Sequence, residues 1–201
     1  MNTKSFKQTR TLALLGIMTG IIVFLSAVPG LGFIPVGPIQ ATILHVPVVI
    51  VAIVEGPVVG GILGLVFGIV SLLNALLRPQ PFSFLFLNPI VAILPRILIG
   101  VLTGLLFNAL RKTSLNKLAI TISAGIGSLV NTIGVLGLIY IIYAQRYMQL
   151  MVERGRAAAS DSAAKFIGSI ALTSGGAEML VCAILATPIC YALLKMKKRG
   201  K

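Results

Sequence analysis

The sequence predicts an all-α membrane protein, a six-transmembrane-helix bundle with both termini cytoplasmic. The chain has 201 residues, of which 57% are hydrophobic and only 10% are charged. Soluble domains carry about 25% charged residues, so these few charges would not cover a water-exposed surface. Apolar stretches of about 20 residues recur along the chain, as membrane-spanning helices require. The Lys and Arg residues gather at the chain ends and between these stretches, which indicates how the helices are oriented.

Six apolar stretches are predicted to be spans: residues 9–28, 42–54, 57–77, 88–110, 118–144 and 166–194. The second is shorter than the other five. The first could instead be a cleaved signal peptide, because Lys4, Lys7 and Arg10 precede its apolar core. That core is long and interrupted by glycine, which favours a retained span.

The basic residues predict the orientation. With six spans, eleven of the seventeen Lys and Arg residues lie on the side of the termini, five lie on the other side, and Arg96 lies within a span. The positive-inside rule then places both termini in the cytoplasm. This distribution also explains the net charge of +13 without nucleic acid as a partner.

Polar residues inside spans are costly in lipid and therefore indicate function. Counting along each predicted helix places them between the outer rim and the midplane; they are His45, Asn74, Arg96, Asn131 and Glu178. This asymmetry favours a pocket that opens outward over a continuous pore. His45, the only histidine, has no second ligand nearby in the sequence, so we predict a polar contact and no metal site.

Arg96 gives the strongest signal, because a guanidinium at that depth needs an anion. It could pair with Glu178 or with backbone carbonyls, or it could hold the carboxylate or phosphate of a ligand. Pro95 should free a nearby carbonyl, since proline donates no backbone hydrogen bond.

The segments between the predicted spans also contain recognisable patterns. Asn88-Pro89 has the pattern of a helix N-cap followed by proline. The preceding residues 78–87 are apolar and aromatic, and we expect them to fold inward as a lid. The turn-rich residues 29–40 are either a second lid or a surface connector. Glu55 lies in a tight inner turn, where we expect it to be solvated.

No enzymatic motif is present. The chain lacks the Gly-x-x-x-x-Gly-Lys-Ser/Thr loop of ATPases and the His-Glu-x-x-His of zinc proteases. Its only aspartate, Asp161, excludes a two-aspartate protease. A Ser-His dyad would need Ser169 or Ser174 near His45, without the expected Gly-x-Ser-Gly. We therefore predict that the protein is not an enzyme and uses no cofactor.

Several motifs together resemble a known family, the substrate-binding S components of energy-coupling factor (ECF) vitamin transporters. They are residues 41–48 (ATILHVPV), Glu55-Gly56-Pro57 with residues 60–68 (GGILGLVFG), residues 84–89 (FLFLNP) and residues 94–100 (LPRILIG). The similarity is strongest over residues 36–108, and within the family it is greatest to the pantothenate-type S components. The resemblance implies one substrate-binding domain, residues 1–201, in a bacterial cell membrane.

The resemblance also implies partners. An S component binds its vitamin from outside with high affinity, docks on a transmembrane T subunit that carries two ATPase subunits, and topples to release the ligand. The family usually docks through Ala-x-x-x-Ala on the first helix. Here Ile17 follows Ala13 by four residues, so Gly16 and Gly20 are the expected docking residues.

Pantothenate has a carboxylate, two hydroxyls and an amide. Arg96 would suit the carboxylate. The expected site comprises Arg96, Asn131, Asn88, Asn74, His45, Phe82, Phe84 and Glu178. Its asparagines would serve the hydroxyls and the amide, and its phenylalanines would cover the hydrocarbon. Two alternatives stay open: another vitamin or precursor, such as a pyrimidine or pyridine, and a scaffold protein without ligand, in which Arg96 is satisfied internally.

Overall fold

The computed structural model describes residues 3–28, 31–36, 39–78, 83–153, 155 and 162–199. Its helices are α1 (Thr3–Ala27), α2 (Val46–Glu55), α3 (Pro57–Leu77), α4 (Ser83–Phe86), α5 (Pro89–Leu110), α6 (Ala119–Glu153) and α7 (Ala163–Arg199). Strands β1 (Phe33–Val36) and β2 (Ile39–Thr42) lie between α1 and α2, and a 3-10 turn (Ser114–Lys117) precedes α6.

Five helices, α1, α3, α5, α6 and α7, are long and apolar enough to cross a membrane. Their outward surfaces carry large apolar side chains, such as Leu172, Ile141 and Val58, which are 80%, 77% and 73% exposed. An apolar surface of this extent is stable in lipid and not in water. The chain is therefore a membrane protein, as its composition predicts.

The second predicted span forms the ten-residue helix α2, which is too short to cross a bilayer unaided. Residues Val46 to Val54 are all buried. Helix α2 packs against α1, α3, α5, α6 and α7. It is the centre of the bundle, and its two ends define the hairpin end, near His45, and the Glu55 end.

The all-α class is confirmed, and the structure adds one short element, an antiparallel hairpin formed by strands β1 and β2. Phe33 pairs with Thr42, and Val36 pairs with Ile39. The β-branched residues of this segment favour extended backbone. The surrounding glycines and prolines indicated only turns, and strands of four residues are too short to show an alternating pattern.

Glycines bring α3 and α5 into backbone contact. A Cβ atom added to Gly64 would overlap the Arg96 carbonyl, and one added to Gly100 would overlap the Gly60 carbonyl. The four-residue spacing of these glycines predicted such close approach. The packing fixes the height of Arg96 relative to α3.

Glu55 is not solvated, so that expectation was wrong. Its side chain is only 8% exposed and forms ion pairs with Lys197 Nζ at 2.9 Å and Arg10 Nη2 at 3.6 Å. Thr11 Oγ1 also donates to its carboxylate at 3.2 Å. The turn after α2 lies between α1 and α7, and these helices supply the charges that a buried carboxylate needs.

Candidate ligand-binding site

Pro95 lies inside α5 without ending the helix. Because proline has no backbone N–H, the carbonyl of Val91, four residues earlier, loses its helical donor. The Arg96 side chain replaces that donor, since Nη1 donates to the Val91 oxygen at 2.8 Å. The expected free carbonyl is thus present, and Arg96 itself satisfies it. This contact holds the guanidinium inside the bundle, where Arg96 is 6% exposed.

Two aromatic rings flank the guanidinium. Its Cζ atom lies 5.4 Å from the ring centre of Phe67 and 5.2 Å from that of Phe86, distances typical of cation–π contacts. Phe86 belongs to α4, so this part of residues 78–87 folds inward as predicted for a lid. Neither ring was among the site residues predicted from the sequence. The Gly64 and Gly68 spacing could have indicated Phe67, which lies between them on the helix that faces α5.

Several buried polar atoms of α5, α6, α7 and the residue before α2 have no hydrogen-bond partner among the described residues. Within the described part of the chain, no hydrogen bond reaches Arg96 Nε, Asn131 Oδ1, the two ring nitrogens of His45, or the hydroxyls of Ser128 and Ser174. Buried polar groups in proteins are nearly always paired. Such atoms are contributed here by three helices and by the residue before α2.

Glu178 is held by neighbours other than Arg96. Its Oε1 accepts a hydrogen bond from the Thr42 backbone N–H at 2.9 Å, and its Oε2 accepts one from Thr132 Oγ1 at 2.7 Å. The carboxylate thus joins the hairpin to α6 and α7. The charge of Glu178 acts on Arg96, but the salt bridges among the described residues do not include this pair. The guanidinium therefore keeps its capacity to bind another anion.

Four of the predicted site residues are buried: Arg96, His45, Asn131 and Glu178. The charge of Arg96 acts on His45 and Glu178, and Asn131 directly precedes the Thr132 that donates to Glu178, so we call these four residues the polar cluster. The helices are close here: a Cβ atom added to Gly134 on α6 would lie 3.1 Å from Pro95 Cβ. His45 is fully buried beside the positive charge of Arg96. The cluster offers donors at Arg96 and acceptors at Asn131 and Glu178.

The remaining predicted residues have other contacts. Asn88 caps α5 as predicted, since its Oδ1 accepts from Ile90 N at 3.0 Å, and its Nδ2 donates to the Tyr143 hydroxyl at 3.3 Å. Asn74 Nδ2 donates to the Ser26 hydroxyl. Their contact with a ligand stays a prediction.

Phe84 packs edge-on against Tyr143 with ring centres 5.7 Å apart, and the Arg146 guanidinium lies 4.4 Å from the same ring centre. These contacts tie α4 to α6 at the hairpin end. Phe82 lies outside the described residues. Within the described ranges, no group of three or more His, Cys, Asp or Glu side chains could hold a metal ion.

Helix α1 leaves one face open. A Cβ atom added to Gly16 or Gly20 would meet nothing within 4 Å. Ile17 and Phe24 on the same helix are 61% and 59% exposed. The two glycines thus make no close packing contact with the described residues, and their role in docking stays a prediction.

The amino-acid sequence is similar to those of known membrane transport proteins. A family model described as "ECF transporter, substrate-specific component" matches residues 10–190. The pantothenic acid transporter PanT of Lactococcus lactis subsp. cremoris is 29% identical over 177 residues, 81% of this chain and 82% of the relative. The pantothenate transporter PanT of Leuconostoc mesenteroides is 34% identical over 139 residues, 65% of this chain and 68% of the relative.

A solved structure has the same fold. ThiT from Listeria monocytogenes aligns with a TM-score of 0.59 over 96% of this chain and 97% of its own, at 19% sequence identity. At that identity the likeness concerns the fold alone. The arrangement of helices around α2 is thus shared between two distant sequences.

Proposed function

This chain belongs to the family of substrate-specific components of ECF transporters, and from that membership we propose that it binds pantothenate with high affinity for uptake. The observation that supports this ligand most directly is the buried guanidinium of Arg96, whose Nε has no protein partner. Two relatives that cover most of their own length in the alignment carry the name pantothenate or pantothenic acid transporter.

The chemistry of the polar cluster suits pantothenate. Its carboxylate would pair with Arg96, in the charge-assisted geometry that a guanidinium favours. The pantothenate hydroxyls would donate to Asn131 Oδ1 and Glu178, and His45 can donate or accept beside them. The carboxylate would lie away from Glu178, because like charges repel. This orientation would satisfy atoms that are unpaired in the protein.

The aromatic side chains would cover the rest of the ligand. Phe67 and Phe86 flank the guanidinium and would contact the hydrocarbon next to the bound carboxylate. Phe84 holds α4 against α6 and would act as part of the lid, together with Phe82. Asn88 and Asn74 lie toward the hairpin end, where they would line the ligand's entry path.

We place the hairpin end on the extracellular side and both termini in the cytoplasm. Eleven of the seventeen basic residues support this orientation. Ligand would then reach the polar cluster by movement of the hairpin and of α4. The link between Thr42 and Glu178 ties the hairpin to the same carboxylate that would receive the ligand.

Isothermal titration calorimetry on the purified chain in detergent tests the ligand. We expect pantothenate to bind at a one-to-one ratio with submicromolar affinity, and thiamine and riboflavin not to bind under the same conditions. Small molecules retained through purification should be identified first by mass spectrometry, since a retained ligand would block the titration. A different retained vitamin, or no binding of pantothenate by ligand-free protein, would refute the assignment.

For docking, we propose that the open face of α1 contacts a T subunit that carries two ATPase subunits. Replacing Gly16 and Gly20 by Leu fills this face with side chains that prevent close helix approach. We expect the double variant to bind pantothenate like wild type but to lose co-purification with the T subunit and ATPases.

Gly137→Leu on α6 is the matched control, because a Cβ atom there also meets nothing within 4 Å. This control should co-purify normally. If the Gly16 and Gly20 variant still assembles fully, α1 is not the docking helix.

A further inference from the structure

A cavity lies at the Glu55 end of the bundle, remote from the polar cluster. It has a volume of about 430 Å³, more than ten times the share of one water molecule in the liquid, about 30 Å³. Its lining comes from the end of α2, the start of α3, and the last turns of α5 and α7, and its charged and amide side chains are Glu55, Asn108, Arg111 and Lys197. The cavity is therefore large enough to hold a small polar group between four helices.

Two cations line this cavity, and they differ in their partners. Lys197 is already engaged, since Nζ donates to the Val54 carbonyl at 2.6 Å and to Glu55 Oε2 at 2.9 Å. The exposed Arg111 side chain forms no hydrogen bond or ion pair with any described residue. The cavity thus has a net positive charge, with one guanidinium available to an anion.

The other two polar side chains of the cavity differ in their availability. Glu55 is engaged, because its Oε2 accepts from Thr11 and Lys197 and its buried Oε1 lies 3.6 Å from Arg10 Nη2. The half-buried Asn108 side chain forms no hydrogen bond with any described residue. A guest that fits would carry an anion for Arg111 and hydroxyls for the Asn108 amide, which can both donate and accept.

The position of the cavity indicates the source of that anion. Because the long helices cross the membrane, their ends lie at the level of the lipid headgroups. Among the described side chains at this end, one acid, Glu55, is accompanied by six bases: Arg10, Arg111, Lys112, Lys117, Lys195 and Lys197. Basic pockets between transmembrane helices bind anionic headgroups.

We propose that this cavity binds the headgroup of an anionic phospholipid, with phosphate at Arg111 and headgroup hydroxyls at Asn108. Phosphatidylglycerol has this combination of one phosphate and two free hydroxyls. The site is independent of pantothenate binding and lies in the leaflet at the Glu55 end, whichever side of the membrane that end faces. A lipid bound there would contact α2, α3, α5 and α7 together.

Native mass spectrometry of the full chain in detergent, titrated with lipid, tests the proposal. We expect one phosphatidylglycerol to bind at least about fivefold more tightly than phosphatidylcholine with the same acyl chains. Arg111→Gln should weaken phosphatidylglycerol binding about fivefold, the contribution of one basic side chain to an anionic lipid. A large excess of inorganic phosphate should not displace the lipid.

Lys112→Gln is the matched control, because it removes a neighbouring exposed cation that does not line the cavity. It should leave the affinity within about twofold of wild type. Size-exclusion profiles and thermal midpoints should show that both variants fold. Equal losses in the two variants, equal binding of the two lipids, or displacement by free phosphate would each overturn a specific lipid site.

Discussion

Replacing Arg96 by Gln is expected to weaken pantothenate binding about 100-fold or more, because the ligand carboxylate would be buried without its cation. Glutamine keeps some length and a donor but has neither the charge nor the fork of the guanidinium. Arg96→Lys keeps the charge and loses the paired donors, so its affinity should fall between those of wild type and Arg96→Gln. Calorimetry on ligand-free protein measures all three.

Arg78→Gln controls for the general effect of losing a cation near the hairpin end. Arg78 is exposed and donates to the Ala27 carbonyl, outside the polar cluster. Its removal should change pantothenate affinity by no more than about twofold. Because Arg96 also bonds the Val91 carbonyl, thermal midpoints must accompany the affinities. Wild-type affinity in folded Arg96→Gln would show that the guanidinium serves structure alone.

Gly100→Val is expected to destabilise the protein by about 3 kcal/mol, or to prevent its folding. The new side chain would collide with the backbone of Gly60, and backbone atoms of a packed helix cannot move aside as a flexible side chain can. Helices α3 and α5 would separate, and Arg96 would lose its position. The yield of monodisperse protein and the thermal midpoint in detergent measure this effect.

Gly137→Val serves as its control on α6, where an added Cβ atom meets nothing within 4 Å. This change makes the same chemical substitution in a helix interior that faces open space, so the midpoint should fall far less. Equal midpoints for the two variants would mean that the contact between α3 and α5 tolerates a larger separation than its geometry indicates.

The helix bounds that the sequence predicts best are those marked by glycine, proline or an N-cap residue. Helix α3 begins at Pro57 after a Gly56 whose positive φ of 101° suits glycine, and α5 begins where Asn88-Pro89 caps it. The fifth predicted span ended at residue 144, beside the non-helical Tyr143, but α6 continues beyond this kink to Glu153. The apolar stretch ends at residue 144, whereas the helical hydrogen bonds continue beyond it.

Local features with weak sequence signals were missed. The hairpin and α4 are too short for a periodic pattern to emerge. A solvated turn was predicted for Glu55, because nothing in the sequence shows that Arg10 and Lys197, far apart along the chain, converge on it. Such contacts depend on tertiary packing.

The residues of the candidate site also differ in how well the sequence predicts them. Arg96, Asn131 and Glu178 were predictable, since each is costly in lipid and rare in apolar helices. Ser128 and Ser174 were not, because serine is common in membrane helices and usually bonds the preceding turn. Phe67 and Phe86 resemble any other apolar residue until the fold places them beside the guanidinium.

The contact between Arg96 and the ligand carboxylate is tested most directly by comparing pantothenate with panthenol, the alcohol that has a neutral hydroxymethyl group in place of the carboxylate. Wild type should prefer pantothenate about 100-fold, and Arg96→Gln should bind both compounds with similar, weak affinity. The double comparison isolates the contact between guanidinium and carboxylate, since any general damage weakens both ligands equally. If Arg96→Gln retains the full preference for pantothenate, another group binds the carboxylate and the polar cluster does not work as proposed.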